Sequence, residues 1–431
     1  MTPTSRTRGA AAWALLSLAV GSFGIGMTEF TVMGLLPDIA QDLLPDVWAI
    51  SPDRAIADAG WLITLYALGV VIGAPTISGL AARYPRHLVI LGLAAALSLF
   101  TTLTVVAPTF ELVALSRLLA GLPHGAFFGM GALIAADVLG PGKRAKGVAF
   151  VLTGLTVANV VGVPLGTFLG QVAGWRAAFA VVAAIFALAA VMLAVFTPRH
   201  AGDPSRTFRG ELRVFRIGQV WLALAIGAIG FGGFFAVYSY IAPLVTEVSG
   251  SPEWTVPLVL VVMGLGMTLG NLLGGYFADR DLRRTLLGGL IALAVVQSLL
   301  ALTAAWIVPL VLFVFLVGAA SSLTSPVIQT RLMDVAGDNQ SIAAALNHSA
   351  LNIGNSMGAF LGGLVIAAGW GFVMPAWVGV ALAVAGFGVA VLSFGLERRA
   401  DALALASSSV SDSPEVVERR ELSATGPMRT L

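Results

Sequence analysis

The chain has 431 residues, of which 58% are hydrophobic and only 11% are charged, and its formal net charge is +2. An ordinary soluble domain carries about 25% charged residues, so the composition excludes that class and predicts a membrane protein. The sequence contains no cysteine, which excludes disulfides and thiolate metal sites.

Apolar runs long enough to cross a membrane follow one another along nearly the whole chain. A helical span takes roughly 18 or more apolar residues, and these runs lack the period-two alternation of barrel strands. The predicted fold class is therefore an all-α integral membrane protein. We place its spans, about twelve in number, at 11–36, 60–81, 88–107, 110–136, 146–172, 176–197, 217–245, 254–278, 285–305, 308–333, 341–368 and 372–396.

Basic residues predict which side of the membrane each connection occupies. If the amino end is cytoplasmic, the outer loops hold only Arg54 and Arg176. The inner connections hold many basic residues, namely Arg83, Arg86, Lys143, Arg144, Lys146, the arginines from Arg199 to Arg216, Arg280, Arg283 and Arg284. This is the positive-inside distribution. We therefore predict a multi-pass protein of the cell inner (plasma) membrane with both termini in the cytoplasm.

Matching glycines divide the chain into two halves. Two sets of glycines in the first half align with sets in the second half, and neither alignment needs a gap. Gly21, Gly24 and Gly26 align with Gly227, Gly230 and Gly232. Gly162, Gly166 and Gly170 align with Gly354, Gly358 and Gly362. Two parallel repeats with a site near the midplane are a transporter architecture. We predict two pseudo-symmetric six-helix bundles over 1–197 and 217–397, a cytoplasmic basic linker over 198–216 and a disordered cytoplasmic tail over 398–431.

One carboxylate lies within the first span. Glu29 is the only acidic residue between positions 1 and 36, and a charge at that depth is costly unless it faces a cavity or a partner. An intramembrane acid therefore indicates a function, and we predict that Glu29 carries the coupling proton. Asp38 is the competing candidate, although it follows Pro37 at the outer end of the span, where water can reach it.

Two related segments connect spans two and three and spans eight and nine. They read Gly-Leu-Ala-Ala-Arg-Tyr-Pro-Arg-His at 79–87 and Gly-Tyr-Phe-Ala-Asp-Arg-Asp-Leu-Arg-Arg at 275–284. Together with the repeat, they resemble the cytoplasmic loop motif of the major facilitator superfamily, whose Asp and Arg latch neighbouring helix ends in one conformation. The resemblance implies this role for Arg83, Arg86, Asp279, Arg280 and Arg284. In the first copy Ala82 stands where the Asp is expected, so a role in topology alone is the alternative there.

Small residues recur every four positions in span five. They form one stripe, against which a neighbouring helix can pack closely, and they are Gly154, Ala158, Gly162, Gly166 and Gly170. Pro164 lies in the same span and bends the helix by removing a backbone hydrogen bond. Stripe and proline together resemble the antiporter motif of exporters in the superfamily. Ser356 stands at the proline's position in span eleven, and this asymmetry favours export. Simple helix packing is the alternative.

Three further segments make the resemblance closer. They are 24–39 in span one, 117–128 in span four and 347–354 in span eleven, and they resemble the twelve-span drug:proton antiporter family, nearest to its arabinose-efflux-like and chloramphenicol-exporter branches. The resemblance covers nearly the whole chain except the termini. It implies proton transfer by Arg117, for which a structural arginine bound to helix carbonyls is the alternative. His124 lies just short of two turns further on and could titrate near neutrality; hydrogen-bonded packing is its alternative.

Aromatic side chains are expected to line the substrate cavity. The resemblance places spans one, four and seven around that cavity, and aromatic contacts suit an amphipathic ligand. The candidates are Phe30, Phe127, Phe128, Phe234, Phe235, Tyr238 and Tyr240, together with Asn347, His348 and Asn352 on the polar face of span eleven. The alternatives are contact with lipid for the aromatic residues and hydrogen bonding between helices for the polar ones.

Motifs for nucleotide hydrolysis and metal catalysis are missing from the sequence. It contains no G-x-x-x-x-G-K-[ST] and no H-E-x-x-H, and no serine triad can be placed, so we expect neither enzyme activity nor a cofactor nor a metal. Our interpretation is a monomeric proton-coupled transporter in the lipid bilayer that exports small amphipathic molecules, drugs or antibiotics such as chloramphenicol or metabolites, by alternating access. Efflux of a sugar such as arabinose is the alternative, and a membrane receptor or enzyme a more distant one. No nucleic-acid partner is expected.

Overall fold

The computed structural model describes residues 8–81, 83–140, 144–199, 215–336 and 340–411. Within these ranges, eleven helices are long and apolar enough to cross a membrane. One of them, Thr255–Thr303, contains two spans, because Asp281 has the non-helical angles φ −156° and ψ 92° and kinks the helix. The twelve spans predicted from the sequence are therefore confirmed.

The helix bounds agree with the predicted spans to within a few residues over most of the chain. Spans one to six are Arg8–Gly34, Trp61–Ala81, Arg86–Val106, Phe110–Leu139, Arg144–Val157 with Val163–Ala173, and Trp175–Phe196. Spans seven to twelve are Gly218–Ala225 with Phe231–Tyr238 and Ile241–Pro243, the two parts of Thr255–Thr303, Ile307–Ala336, Gln340–Ala367 and Met374–Ser411.

The two halves repeat the same packing. A side chain added at Gly69 would meet the backbone of Leu118, and one added at Gly266 would meet the backbone of Phe315. These contacts join span two to span four and span eight to span ten, and the partners are equally far apart in the sequence. Glycine permits such close approach of helix backbones. The glycine alignment thus reflects two pseudo-symmetric bundles.

Three short helices follow span one. They are Leu36–Leu43, Pro45–Ile50 and Pro52–Ala59, and each has a proline in its first turn, where the missing N–H costs nothing. We call this end of the bundle the loop end, and the end where span one begins the terminal end. The largest apolar cluster includes Leu36 and Ala59 of the first half and Tyr238 and Leu260 of the second. The halves are therefore packed together at the loop end.

Spans five and seven depart from regular α-helix. π-helical turns cover Ala158–Gly162 and Ile226–Gly230, and a third turn, Leu244–Val248, ends span seven. Hydrophobic patterning does not predict such turns, which often occur at functional sites.

Parts of the predicted linker and tail fall outside the described residues. These parts are 200–214 and 412–431, and Ala82 is likewise outside. The last helix continues to Ser411, beyond position 398, where we predicted that the disordered tail begins.

Candidate functional site

Glu29 lies where the two halves meet. Its side chain is buried in span one, with 6% of its surface exposed. The carboxylate Oε1 accepts a hydrogen bond of 3.0 Å from Nδ2 of Asn355 in span eleven. The acid identified from the sequence is thus bonded to the other half of the protein, as an intramembrane charge needs a polar partner.

Arg117 is fully buried and holds span one immediately beside Glu29. Its two terminal nitrogens donate to Oγ1 and to the backbone O of Thr28, each at 2.8 Å. The guanidinium also lies over the ring of Tyr66, 4.2 Å from its centroid. Arg117 therefore binds a helix carbonyl, as expected for an arginine with a structural role. It is also close enough to Glu29 to act on it electrostatically.

His124 connects to this group through Tyr66. The hydroxyl of Tyr66 and Nδ1 of His124 are 3.0 Å apart, and both side chains are buried. Tyr66 lies in span two and contacts both polar candidates of span four. We did not select Tyr66 from the sequence, because an isolated tyrosine in an apolar span gives no signal.

Several aromatic contacts join the halves, among them those of Phe30 and Phe128. Phe30 of span one stacks on Tyr238 of span seven at a centroid distance of 5.2 Å and lies 6.3 Å from Phe235. Nearer the terminal end, Phe128 of span four stacks on His348 of span eleven at 4.9 Å with an interplanar angle of 4°. Four of the seven predicted cavity aromatics therefore make ring contacts across the interface between the halves.

Two other aromatic candidates pack within one half. Phe127 lies against Gly21 of span one, and Phe234 contacts Phe231 and other rings of its own span. Tyr240 contacts both halves: its hydroxyl donates to the backbone O of Ala359 at 2.8 Å and lies against Gly60 of the first half. The contacts of Phe127 and Phe234 assign them no cavity surface.

The polar face of span eleven contains amide oxygens without partners. Nδ2 of Asn352 donates to the backbone O of His348 at 3.0 Å. The Oδ1 atoms of Asn347, Asn352 and Asn355 are buried, and no hydrogen bond reaches them from the residues that the structure describes. Buried polar atoms normally have partners, so this face has unused hydrogen-bonding capacity toward a ligand.

Asp38 is half-buried in the helix that follows span one, and its charged neighbour is Glu253 of the other half. Burial and the negative charge of Glu253 raise the pKa of Asp38 from 3.8 to about 6. Glu253 also receives a hydrogen bond of 3.0 Å on its backbone O from Nε2 of Gln171. Asp38 therefore belongs to the contact between the halves at the loop end.

Replacing Asp38 with asparagine is expected to stabilise the protein in a pH-dependent way. A raised pKa means that the folded state favours the protonated acid, so ionisation of Asp38 destabilises the fold progressively as the pH rises from 3.8 to about 6, and fully above that. Asp38→Asn should melt a few degrees higher than the wild type at about pH 8 and equally near pH 4. Thermal unfolding in detergent measures this, with the exposed Asp53→Asn as control. A difference independent of pH would contradict it.

The two loop motifs are engaged differently. In the first, Arg86 forms an ion pair with Asp137 at the end of span four, and Arg83 donates to the hydroxyl of Tyr84 at 3.1 Å. In the second, Arg284 pairs with Asp281 at the kink, with Nε and Oδ2 3.1 Å apart.

Asp279 and Arg280 of the second motif form no ion pair with the residues that the structure describes. Asp279 is exposed, and no hydrogen bond or ion pair joins it to another described residue. Arg280 lies over the ring of Tyr276, 4.0 Å from the centroid. The latching role of Asp279 stays a prediction.

The small-residue stripe of span five packs along span one. Added side chains at Gly154, Gly162, Gly166 and Gly170 would meet Ala19, Phe23 or Met27, Thr31 and Leu35 respectively. These partners follow one another at helical spacing, and Pro164 lies in the first turn of the α-helix that follows the π turn. The stripe therefore serves helix packing beside Glu29, and it does not face lipid. Span eleven repeats this contact against span seven as one continuous helix.

Comparison with known proteins agrees with this architecture. The family model of the Major Facilitator Superfamily matches residues 18–280 and 250–424. The chain belongs to the major facilitator superfamily. It is 36% identical over 394 residues to the inner membrane transport protein YdhP of Escherichia coli (strain K12), covering 91% of this chain and 98% of that protein.

A second relative and a solved structure extend the comparison. The chain is 30% identical to the chloramphenicol resistance protein of Streptomyces lividans, over 86% of this chain and 94% of the relative. The crystal structure of a D-xylose-proton symporter superposes with a TM-score of 0.70 at 16% identity, covering 89% and 97% of the two chains. The sequence-based family assignment is confirmed: the chain is a multi-pass membrane transporter and not an enzyme.

Proposed function

We propose that this transporter exchanges protons for small amphipathic molecules and exports them from the cell. The observation that carries the proposal is the position of Glu29, a buried acid bonded across the interface between the halves. Alternating access rocks the halves about such an interface, so it would make and break this contact in every cycle. A proton bound to Glu29 would then be taken up and released once in each alternating-access cycle.

Export is supported by the asymmetry between spans five and eleven. Span five contains the π turn and Pro164 beside the stripe, whereas span eleven has Ser356 and no break. The first resembles the antiporter motif, and the second lacks its proline. We propose that Glu29 takes up a proton from outside and releases it inside in exchange for substrate, with Arg117 and His124 assisting.

The substrate class is proposed from the groups at the interface. The pairs Phe30 with Tyr238 and Phe128 with His348 suit a ring, and the free amide oxygens of span eleven suit hydroxyl or N–H donors. Such a molecule is amphipathic, as is chloramphenicol, to which a relative's name refers. Sugar efflux is the second candidate, favoured by the polar face alone.

A substrate panel on energised inverted vesicles tests this proposal. A pH-sensitive dye reports the acid interior, and vesicles without the protein serve as control. Chloramphenicol is expected to release protons from the interior, and L-arabinose is not. A response to arabinose alone would select the sugar candidate. A response to neither ring-bearing antibiotics nor sugars would contradict the proposed substrate classes.

The proposed orientation rests on the placement of basic residues. Reporter fusions after Arg209 and after Arg399 are expected to show cytoplasmic activity, and a fusion after Ala305, between spans nine and ten, the opposite. A periplasmic signal after Arg209 or Arg399 would contradict cytoplasmic termini.

A further inference from the structure

We propose that Asn355 is the positioning residue that detects the proton on Glu29: the protonated acid pairs with its amide and closes the loop end. The inference rests on the proposed function and assigns a second residue to it. In the described part of the chain, side-chain hydrogen bonds join the halves at two places, Glu29 to Asn355 and Gln171 to the backbone O of Glu253. Only the first involves an ionisable group as donor or acceptor.

The unpaired atom of Asn355 is the main observation. Asn355 is fully buried; its Nδ2 donates to Glu29, and its Oδ1 has no partner among the described residues. An ionised carboxylate only accepts hydrogen bonds, whereas a protonated carboxyl has one O–H donor besides its acceptor. Only the protonated Glu29 can satisfy both ends of the amide, whichever way that amide is oriented.

Burial favours the same protonation state. Closing the loop end surrounds Glu29 with protein, and a buried charge costs more than a buried neutral group. In the ionised state, the carboxylate and Oδ1 of Asn355 are both acceptors in one dry interface, and one of them is left without a donor. Proton binding therefore stabilises closure, and proton loss favours separation of the halves.

The titratable groups that interact directly with Glu29 do not account for a change in this range of pH. Those that interact electrostatically with Glu29 are Tyr66 of span two, Arg117 of span four and Tyr238 of span seven. Tyrosine and arginine keep their protons between about pH 5 and pH 8.

His124 and His348 lie on either side of Phe128, and Glu29→Gln, which retains both histidines, separates their effect from that of Glu29. Asp38 lies near the negative charge of Glu253 at the loop end, and protonation of Asp38 would also favour closure, so the test uses an Asp38→Asn background.

This pair would give the exchange its direction. A proton taken up from the outside would close the loop end and turn the carrier toward the cytoplasm. Release of the proton inside would leave an acceptor without a donor, and a substrate with a hydroxyl or N–H group could then bond to Oδ1 of Asn355. Substrate and proton would thus compete for one amide, as an exchanger requires.

Distance measurement between spin labels tests the inference without any substrate. The chain has no cysteine, so Asp53→Cys and Ala305→Cys supply two exposed labels, one on each half at the loop end. Double electron–electron resonance on the otherwise full chain then reports the closed and open populations. The ratio of closed to open should rise about tenfold between about pH 8 and pH 5. A ratio independent of pH would overturn the inference.

The decisive variant exchanges the carboxyl group of Glu29 and the amide group of Asn355. Glu29→Gln alone should stay closed at every pH, because its amide mimics the neutral acid. The double variant Glu29→Gln with Asn355→Asp places the acid on span eleven and the amide on span one, and it should regain pH-dependent closure. Glu29→Gln with Ser356→Asp is the matched control, with its acid one residue away, and it should remain independent of pH.

Three results with these variants would overturn the inference alone. The first is a double variant that stays independent of pH, and the second is a Ser356→Asp control that responds equally. The third is Asn355→Leu closing in acid as fully as the wild type, since it should lose about tenfold of the closed population. The proposed function fails on a separate result, namely that Glu29→Gln still accumulates substrate against its gradient.

Discussion

Replacing Glu29 with glutamine is expected to abolish proton-driven accumulation of substrate while leaving some substrate binding to the purified protein. Glutamine keeps the shape of the side chain and its hydrogen bond to Asn355, and it cannot release a proton. Uptake of chloramphenicol into inverted vesicles under an imposed pH difference measures the loss, which should reach the level of vesicles without the protein. The effect should be this large because Glu29 is the only acid within span one.

Asp38→Asn is the matched control for Glu29→Gln. Asp38 lies at the loop end, outside the span, and its replacement should reduce transport only mildly. If Glu29→Gln still accumulated substrate against its gradient, Glu29 would not be the coupling acid. Arg117 and His124, which are linked through Tyr66, would then be the next residues to test.

Replacing Gly264 with leucine is expected to stop transport by preventing closure at the loop end. Gly264 of span eight lies against the π turn of span five in the other half, and a Cβ there would be 2.5 Å from the backbone O of Asn159. Backbone atoms cannot move aside as a flexible side chain can. Overpacking costs about 1–3 kcal/mol, which lowers the ratio of closed to open protein by about fivefold to more than a hundredfold.

Gly288→Leu is the matched control, because Gly288 belongs to the same long helix and a Cβ there meets nothing within 4 Å. Substrate uptake into inverted vesicles, normalised to the amount of inserted protein, compares the two variants. Gly264→Leu should lose transport with normal insertion, and Gly288→Leu should keep it. Equal transport by both would show that the cycle does not need this contact between spans five and eight.

Apolar run length allowed the twelve spans to be predicted, because a membrane sets the length of a helix. The repeated glycines likewise predicted the two halves, since close helix packing needs small residues at fixed spacing. The π turns and the three short helices after span one could not be predicted, because their backbone conformation depends on contacts between distant helices.

The sequence indicated half of the candidate site. Glu29 was recognisable because a charge within an apolar span is costly, and the contacts of Arg117 and His124 place them close to it. Asn355 and Tyr66 were not selected, because their importance lies in contacts with residues far away in the chain, 326 positions for Asn355 and Glu29. Phe127 and Phe234 were predicted to line the cavity but pack within one half, since a sequence does not show which face of a buried helix meets the other bundle.

Proton movement driven by substrate alone tests the central claim most directly. The purified protein is reconstituted into liposomes that contain a pH-sensitive dye and chloramphenicol, and these are diluted into buffer at the same pH without substrate. Exchange predicts that the interior becomes acidic as the substrate leaves, beyond any change in protein-free liposomes and in liposomes with Glu29→Gln. Substrate exit with no change in pH, or with an interior that becomes alkaline, would contradict proton exchange.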